Sequence, residues 1–412
     1  MIKANLTRFG PATLALGDMM EAKSSNTFKA LRGAAQLIIG ADRVQSLSIR
    51  LNGKSVVEPG VPLPRGEQGR DVQLASDNTI DISCTGEAGG SLTVRIKQTA
   101  SADIGLLRQG YFGLNTSDME RQRTFYQLLG FKGEIYPAGP ETSESFARSL
   151  GFKDNYLIHV SLHSLENPPT MPFVDTVQFR GDSYRDEPPY AKLNHLGMSY
   201  ATYSTTNLDG DYAWLRERGV EFLSAPATAP DGERFVFFRD QDGAFLKLIA
   251  VEGESRADEP NLKRLVNTNM NVSDLERSRE FYRLLGFTES IPASQSGGGE
   301  FAKAHGFAGT IEFEGVDVSL GEGTDGATLQ LRQWKSPYDD AAPYPPPVNH
   351  LGIDRINFYV KDLNTTVKAM TDLGFTSLGP VGGMPAMGIG IVFFFDPDGI
   401  KVQLAGPWSF VD

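Results

Sequence analysis

Cysteine is almost absent from this chain: one residue in 412, Cys84, carries a thiol, which excludes an internal disulfide. Cys84 alternates with Ile80 and Ile82, so it reads as an inert thiol on a buried strand. Long apolar runs are missing as well. None approaches the roughly 20 residues a helix needs to cross a bilayer, so no membrane partner is expected. Positive charge is in deficit, with 39 Lys and Arg against 51 Asp and Glu and a net charge of -12. Gripping a phosphate backbone takes a basic stripe, so no nucleic-acid partner is expected either. The opening residues MIKANLTRFG lack the charged-then-apolar layout of a signal peptide. That favours the cytoplasm, although the character of the first hundred residues leaves a secreted form open.

Histidine is scarce, and its placement argues against a metal site. His159 and His163 stand four apart in YLIHVSLHSL. On a strand they share a face but lie roughly 13 Å apart, too far for one ion. His195 and His350 occupy the same position of a repeated NHLG, which reads as a structural role at a strand entry. His305 ends the helix-like AKAHGF, where a cation suits the helix dipole.

What the chain does contain is a duplication. SDMERQRTFYQLLGF from Ser117 recurs as SDLERSREFYRLLGF from Ser273. A period of about 155 residues is too long for a solenoid and implies a repeated domain. Each copy continues through parallel landmarks: SFARSLGF and EFAKAHGF, NHLG twice, then FVFFRDQDGAFLKLIAVE and IVFFFDPDGIKVQLAG. Four units follow one another, beginning at Tyr111, near Leu196, at Leu265 and near Ile353, each a strand and helix followed by strands. In units one and three, Ser117 with Glu120 and Ser273 with Glu276 fit a capping box, and Gly130 and Gly286 stop the helices. Pro-rich ENPPTMP, RDEPPYAK and DDAAPYPPPVNH read as extended connections, and SGGGE and GPVGGMPAMG as loops over a cleft. Residues 1–104 differ: short alternating runs broken by turn residues predict an all-β sandwich, either a packing accessory or a source of homodimer contacts. Its LNGKSVVEP and GGSLTVRI resemble β-sandwich modules attached to secreted bacterial proteins.

NVSDLERSREFYRLLGF, the strand–DPDG–strand closure, and the DLGF and ERGVEF that end the second helix of each pair resemble the vicinal oxygen chelate superfamily. That group contains glyoxalase I, extradiol dioxygenases and bleomycin-resistance proteins. The resemblance runs from about residue 106 to 408 and implies an α+β fold of βαβββ modules. Two modules pair into one cup around a ligand. Consecutive pairing is expected, giving domains over 1–104, 106–252 and 261–408, with the cups made by units one plus two and three plus four.

In metal-dependent members, ligands stand on the first and last strands of a module. The first-strand positions here hold Tyr111, Tyr200, Asn267 and Arg355, and the later strands Gln178, Lys247, Gln330 and Gln403. Lys and Arg bring positive charge to the place of a divalent ion, so no metal and no cofactor is expected, and glyoxalase or dioxygenase chemistry is disfavoured. The first cup would present Tyr111, Gln178, Tyr200 and Lys247. Lys247, between Phe245 and Ile249, would lose hydration, which favours the neutral basic amine. A lysine base with two phenol donors suits proton abstraction beside a carbonyl, hence metal-independent lyase or isomerase chemistry on an oxygenated small organic molecule. Alternatively, Lys247 snorkels to the rim and the cup sequesters an aromatic or antibiotic-like compound. The second cup would present Asn267, Gln330, Arg355 and Gln403. There Arg355 reads either as an anion clamp or as a salt-bridge partner of Asp354 or Asp362.

Overall fold

The computed structural model describes residues 1–18, 20–60, 66–135, 144–154, 156–321, 327–384 and 388–408. They form two compact units, Met1–Asp103 with Lys368–Phe375, and Ile104–Val367 with Thr376–Asp412.

Alternation of apolar and polar residues governs the N-terminal segment. Ile80, Ile82 and Cys84, then Leu92, Val94 and Ile96, lie on one buried face of the 26-residue strand Asp77–Ala102. They meet Leu37, Ile39, Leu47 and Ile49 of Gly33–Leu51 in one core. No helix forms among the described residues of 1–104. The six strands hydrogen-bond as a single antiparallel sheet whose two halves share the two long strands. The reason is local. Both long strands run on through a register break between Asp42 and Ser46, where Arg43 takes φ 54°. A Cβ at Gly86 would lie 2.2 Å from the Arg43 carbonyl, so only glycine admits this approach.

The repeated units build two further sheets, and their composition corrects the expected pairing. Leu106–Asn115 of unit one lies antiparallel to Gly352–Val360 of unit four, at the centre of an eight-stranded sheet. Gly197–Thr205 of unit two lies antiparallel to Leu262–Asn271 of unit three, at the centre of a nine-stranded one. The cups are therefore one plus four and two plus three.

Connection length and two asparagines explain the exchange. Units two and three are joined by only the short stretch from Val251 to Asn261, so the chain stays in one sheet. The proline-rich connections carry it between sheets and pack on each other. The Tyr190 and Tyr344 rings stack at 4.8 Å, and the Tyr190 hydroxyl donates to the Ala342 carbonyl at 2.6 Å. Asn115 then donates to the carbonyls of Val348 and His350, pinning the entry of unit four beside unit one. Asn271 does the same to Leu193 and His195, pinning unit two beside unit three. His195 and His350 bond the carbonyls of Leu196 and Leu351 through Nδ1, in keeping with a strand-entry role.

Consecutive units still touch, through helix starts and Asp-Gly turns. Asp118 and Asp274, not the preceding serines, cap helices Met119–Leu128 and Leu275–Leu284. The freed hydroxyls of Ser117 and Ser273 donate instead to Asp242 and Asp398 in the turns of units two and four. Arg121 and Arg277 complete these contacts at 2.7 and 2.6 Å. Gly130 and Gly286 end the helices with φ of 93° and 107°, as expected. SGGGE is not an open loop: Gln295–Gly297 is a strand and Gly299–Ala304 a helix. Of GPVGGMPAMG, Gly382–Met384 forms a strand, while residues 385–387 lie outside the described residues.

Asp240 organises one Asp-Gly turn, accepting from the amides of Asp242 and Ala244 and from Gln122. Burial first, then the neighbouring Asp242, pushes its carboxyl up to about 6. An acid raised by folding contributes stability that is full below its unfolded value, about 3.9, and lost as pH rises through the folded one. Asp240→Asn keeps the amide contacts, since the Gln122 side chain can turn its unpaired oxygen toward the new donor. The fall in Tm between about pH 4 and about pH 7 should therefore be smaller in the variant than in the wild type. Equal falls in thermal denaturation would contradict this assignment.

Candidate functional site

The cup of units two and three gathers polar groups inside an aromatic shell. Tyr200 and Phe245 are register neighbours on adjacent strands, and Lys247 follows Phe245 by two residues, so all three face the cup. Lys247 donates to Glu233 at 2.5 Å, with the lysine side chain 10% and the glutamate 34% exposed. Its Nζ lies 4.9 Å from the centre of the Phe235 ring and 5.8 Å from that of Phe237. Phe237 in turn meets Tyr200 edge-on at 4.9 Å. On the other half of the cup, Gln330 accepts from Tyr200 at 2.9 Å and from Arg332 at 2.9 Å, and donates to Asp317 at 3.0 Å. The Arg332 guanidinium lies over the Phe313 ring at 3.7 Å. Asn267 is buried across from Thr202, and neither Asn267 Oδ1 nor Thr202 Oγ1 has a partner among the described residues.

Burial sets the protonation states. It pushes the Tyr200 phenol up, so Tyr200 is a proton donor and not a phenolate. Asp317 is raised by burial, opposed by Gln330 and Thr328. Lys247 is engaged as an ion-pair donor, so the free amine expected from its apolar neighbours is replaced by a Lys–Glu pair. His305 corrects another expectation: it is no helix-end cation but 3% exposed, between Phe235 and Phe237 at 5.1 Å each. Burial, then Arg332, drives its pKa well down. Its Nδ1 bonds the Phe301 carbonyl, which can only accept, so the proton sits on Nδ1 and Nε2 keeps a lone pair. Glu233, His305, Asp317 and Arg332 were missed by position-by-position reading. One signal was present: SLGF in the first copy becomes AHGF in the second, exchanging Leu150 for His305.

In the other cup the first-strand residues are Tyr111 and Arg355. Tyr111 is thus separated from Lys247 and Tyr200, and the expected lysine–two-phenol trio does not form. Gln178 faces away from the cup, donating to the Ser117 carbonyl at 2.8 Å, as Gln333 does to Ser273. The cup-facing residue that corresponds to Gln330 is Asp175, opposite Gly113. Arg355 is no anion clamp. It donates to Asp175 at 2.8 Å, to Asp354 at 2.7 Å and to Asn115 at 2.9 Å, settling the alternative in favour of the ion pair with Asp354. A register shift between Ile353 and Arg355 turns both Asp354 and Arg355 inward. Gly113 makes room, since a Cβ there would fall 2.3 Å from Arg355 Nε. Gln403 lies within hydrogen-bonding reach of the Tyr111 phenol.

Four βαβββ units paired into two cups are the architecture the landmarks implied, and comparison with known families decides the point. The family model of the Glyoxalase/Bleomycin resistance protein/Dioxygenase superfamily matches twice, over residues 108–248 and 264–404. The chain belongs to this superfamily. Among solved structures, two mutant forms of glyoxalase I from Zea mays match with TM-scores of 0.50 and 17% identity. Each covers 73% of this chain, which spans 92% and 94% of theirs. Such identity speaks for the fold alone. No curated protein matches the chain.

For a superfamily member, the donor set is the test of a metal. Around the ligand positions stand Lys247 and Arg332 in one cup and Arg355 with Lys401 in the other. Each acidic group there already holds one of these cations or an amide. Among the described residues no three His, Cys, Asp or Glu converge. A divalent ion needs anionic or imidazole donors without an internal cation beside them, so these residues do not fit one.

Proposed function

We propose that the cup of units two and three catalyses proton transfer beside a carbonyl of a small oxygenated organic molecule, an isomerase- or lyase-type reaction run by side chains. The observation that carries this reading is the Lys247–Glu233 pair, its lysine buried and its glutamate part-exposed, with Lys247 on the same cup face as the protonated Tyr200. In an ion pair the ammonium has no lone pair and the carboxylate does. Glu233 therefore takes the carbon-bound proton, the role that residue spacing had suggested for Lys247. The C–H electron pair passes into an enolate, whose oxygen is held by the Lys247 ammonium and the Tyr200 phenol. Where the deprotonated carbon bears a hydroxyl, the enolate oxygen gains a proton and the hydroxyl gives up its own to become the new carbonyl. The abstracted proton then returns to the former carbonyl carbon, completing an isomerisation; departure of a β-substituent with its bonding electrons completes an elimination.

The test begins with native mass spectrometry of the full chain, to identify a co-purified compound. That compound is then incubated with the protein in D2O and followed by proton NMR. The expected result is deuterium entering beside the carbonyl, slowed by on the order of a hundredfold or more in Glu233→Gln. A second reading, sequestration of an aromatic compound, is favoured by the ring cluster of Phe235, Phe237, Phe301, Phe313 and Trp334. A ligand that stays bound and gains no deuterium would select it.

A further inference from the structure

The cup of units one and four has a chemistry of its own. Its charged groups close on themselves: Arg355 bridges Asp175 and Asp354, and Lys401 stands 3.7 Å from Asp354, with all four side chains at most 9% exposed. Two cations and two anions leave no formal charge for a ligand to answer.

Beside this quartet lies a row of neutral groups. Asn357 is the register partner of Tyr111 on one side and Gln403 on the other, so the three share one face across adjacent strands. Asn357 is 0% exposed, yet neither its Oδ1 nor its Nδ2 meets a partner among the described residues. Gln403 Oε1, on a residue 4% exposed, is in the same condition. The two amides are neighbours and still do not bond each other. A buried amide with both ends unmatched is a cost to the fold unless something else answers it. Around the row stand apolar surfaces: Val177, Phe179, Phe393 and Ala405, with Phe152 and Tyr359 only partly buried. At the equivalent positions the other cup has Thr202, Asn267 and Lys247, so the two copies have diverged in charge.

We infer that the cup of units one and four is a second ligand site, for an uncharged molecule with an apolar body and a head that both donates and accepts, of primary-amide type. Asn357 offers it a donor and an acceptor, and Gln403 a further acceptor. This site is independent of the proton-transfer chemistry assigned to the other cup.

Three isosteres separate the possibilities: benzamide, benzoate and benzylammonium share a ring and differ in the charge of the head. Titration calorimetry of the full chain with benzamide should show saturable, millimolar-class binding, with at least about tenfold weaker binding of both ions. Asn357→Leu should weaken benzamide by about tenfold or more while raising the Tm of the free protein, because an unmatched buried amide is removed. That rise also shows that the variant folds, and Gln403→Leu decides should it not. Lys247→Met, in the other cup, should leave benzamide binding unchanged. Equal or tighter binding of either ion, no benzamide binding, or unchanged affinity in both leucine variants would overturn the assignment, as would loss of binding in Lys247→Met.

Discussion

Arg355→Met should lower the stability of the folded chain by about 3–5 kcal/mol, the usual penalty for removing one partner of a buried ion pair. The guanidinium is the hinge of a network that includes Asp175 at 2.8 Å and Asp354 at 2.7 Å, with both carboxylates essentially out of water. Without it, Asp175 loses the charge that opposes its desolvation. Burial already pushes its carboxyl up, with Arg355 as the main counterweight. Lys401 stands 3.7 Å from Asp354 and donates to the Tyr344 carbonyl at 2.7 Å, while Asp175 has Arg355 as its ion-pair partner. Equilibrium urea unfolding of the full chain measures the loss. Adding Asp175→Leu to the methionine variant should recover part of it, since an apolar pair leaves no unpaired charge at that end. A loss below about 1 kcal/mol would place Arg355 with ordinary exposed pairs.

Lys247→Met should lower turnover of the compound identified in the cup by about a hundredfold to a thousandfold, the cost of losing a preorganised donor to the developing oxyanion. Methionine keeps an unbranched, apolar stem against Phe235 and Phe237 while deleting the ammonium. Glu233 is left without its partner but is part-exposed, so water can take the place of the lost donor and folding should survive. Ligand affinity should largely persist, because the aromatic shell is untouched. Tyr200→Phe should slow the reaction less, since it removes one of two donors to the developing oxyanion. It also frees Gln330 Oε1 for Arg332 alone. Turnover unchanged in Lys247→Met would end the proton-transfer assignment, whatever the binding data show.

The pairing of the cups illustrates where linear reading stops. Asn115 and Asn271 stand at matching places ahead of the two Ser-Asp landmarks, visible in the sequence as a repeat. Each grips the carbonyls before a distant strand, 233 to 235 residues away for Asn115 and 76 to 78 for Asn271. Nothing in either residue's own neighbourhood names that partner. Gln178 shows the same limit on a smaller scale. Strand alternation puts consecutive residues on opposite faces, so a shift of one position moves a side chain from cup to helix. Arg355 and Asp354 evade alternation altogether, because a register shift turns both inward.

Local chemistry was enough for the duplication, the four units, their helix stops at Gly130 and Gly286, and the superfamily, because each rests on residues close together in the chain. It was also enough to single out Lys247 and Arg355 by their places in the repeats. The tertiary structure alone decided which units share a sheet, that Tyr111 is parted from Tyr200, and that Lys247 is met by Glu233 and Arg355 by Asp175. The sheet partners, the parting of Tyr111 from Tyr200 and the Arg355–Asp175 pair turn on contacts between strands brought together by crossing connections. A side chain's charge state and its partner belong to the assembled cup, not to the segment that carries it.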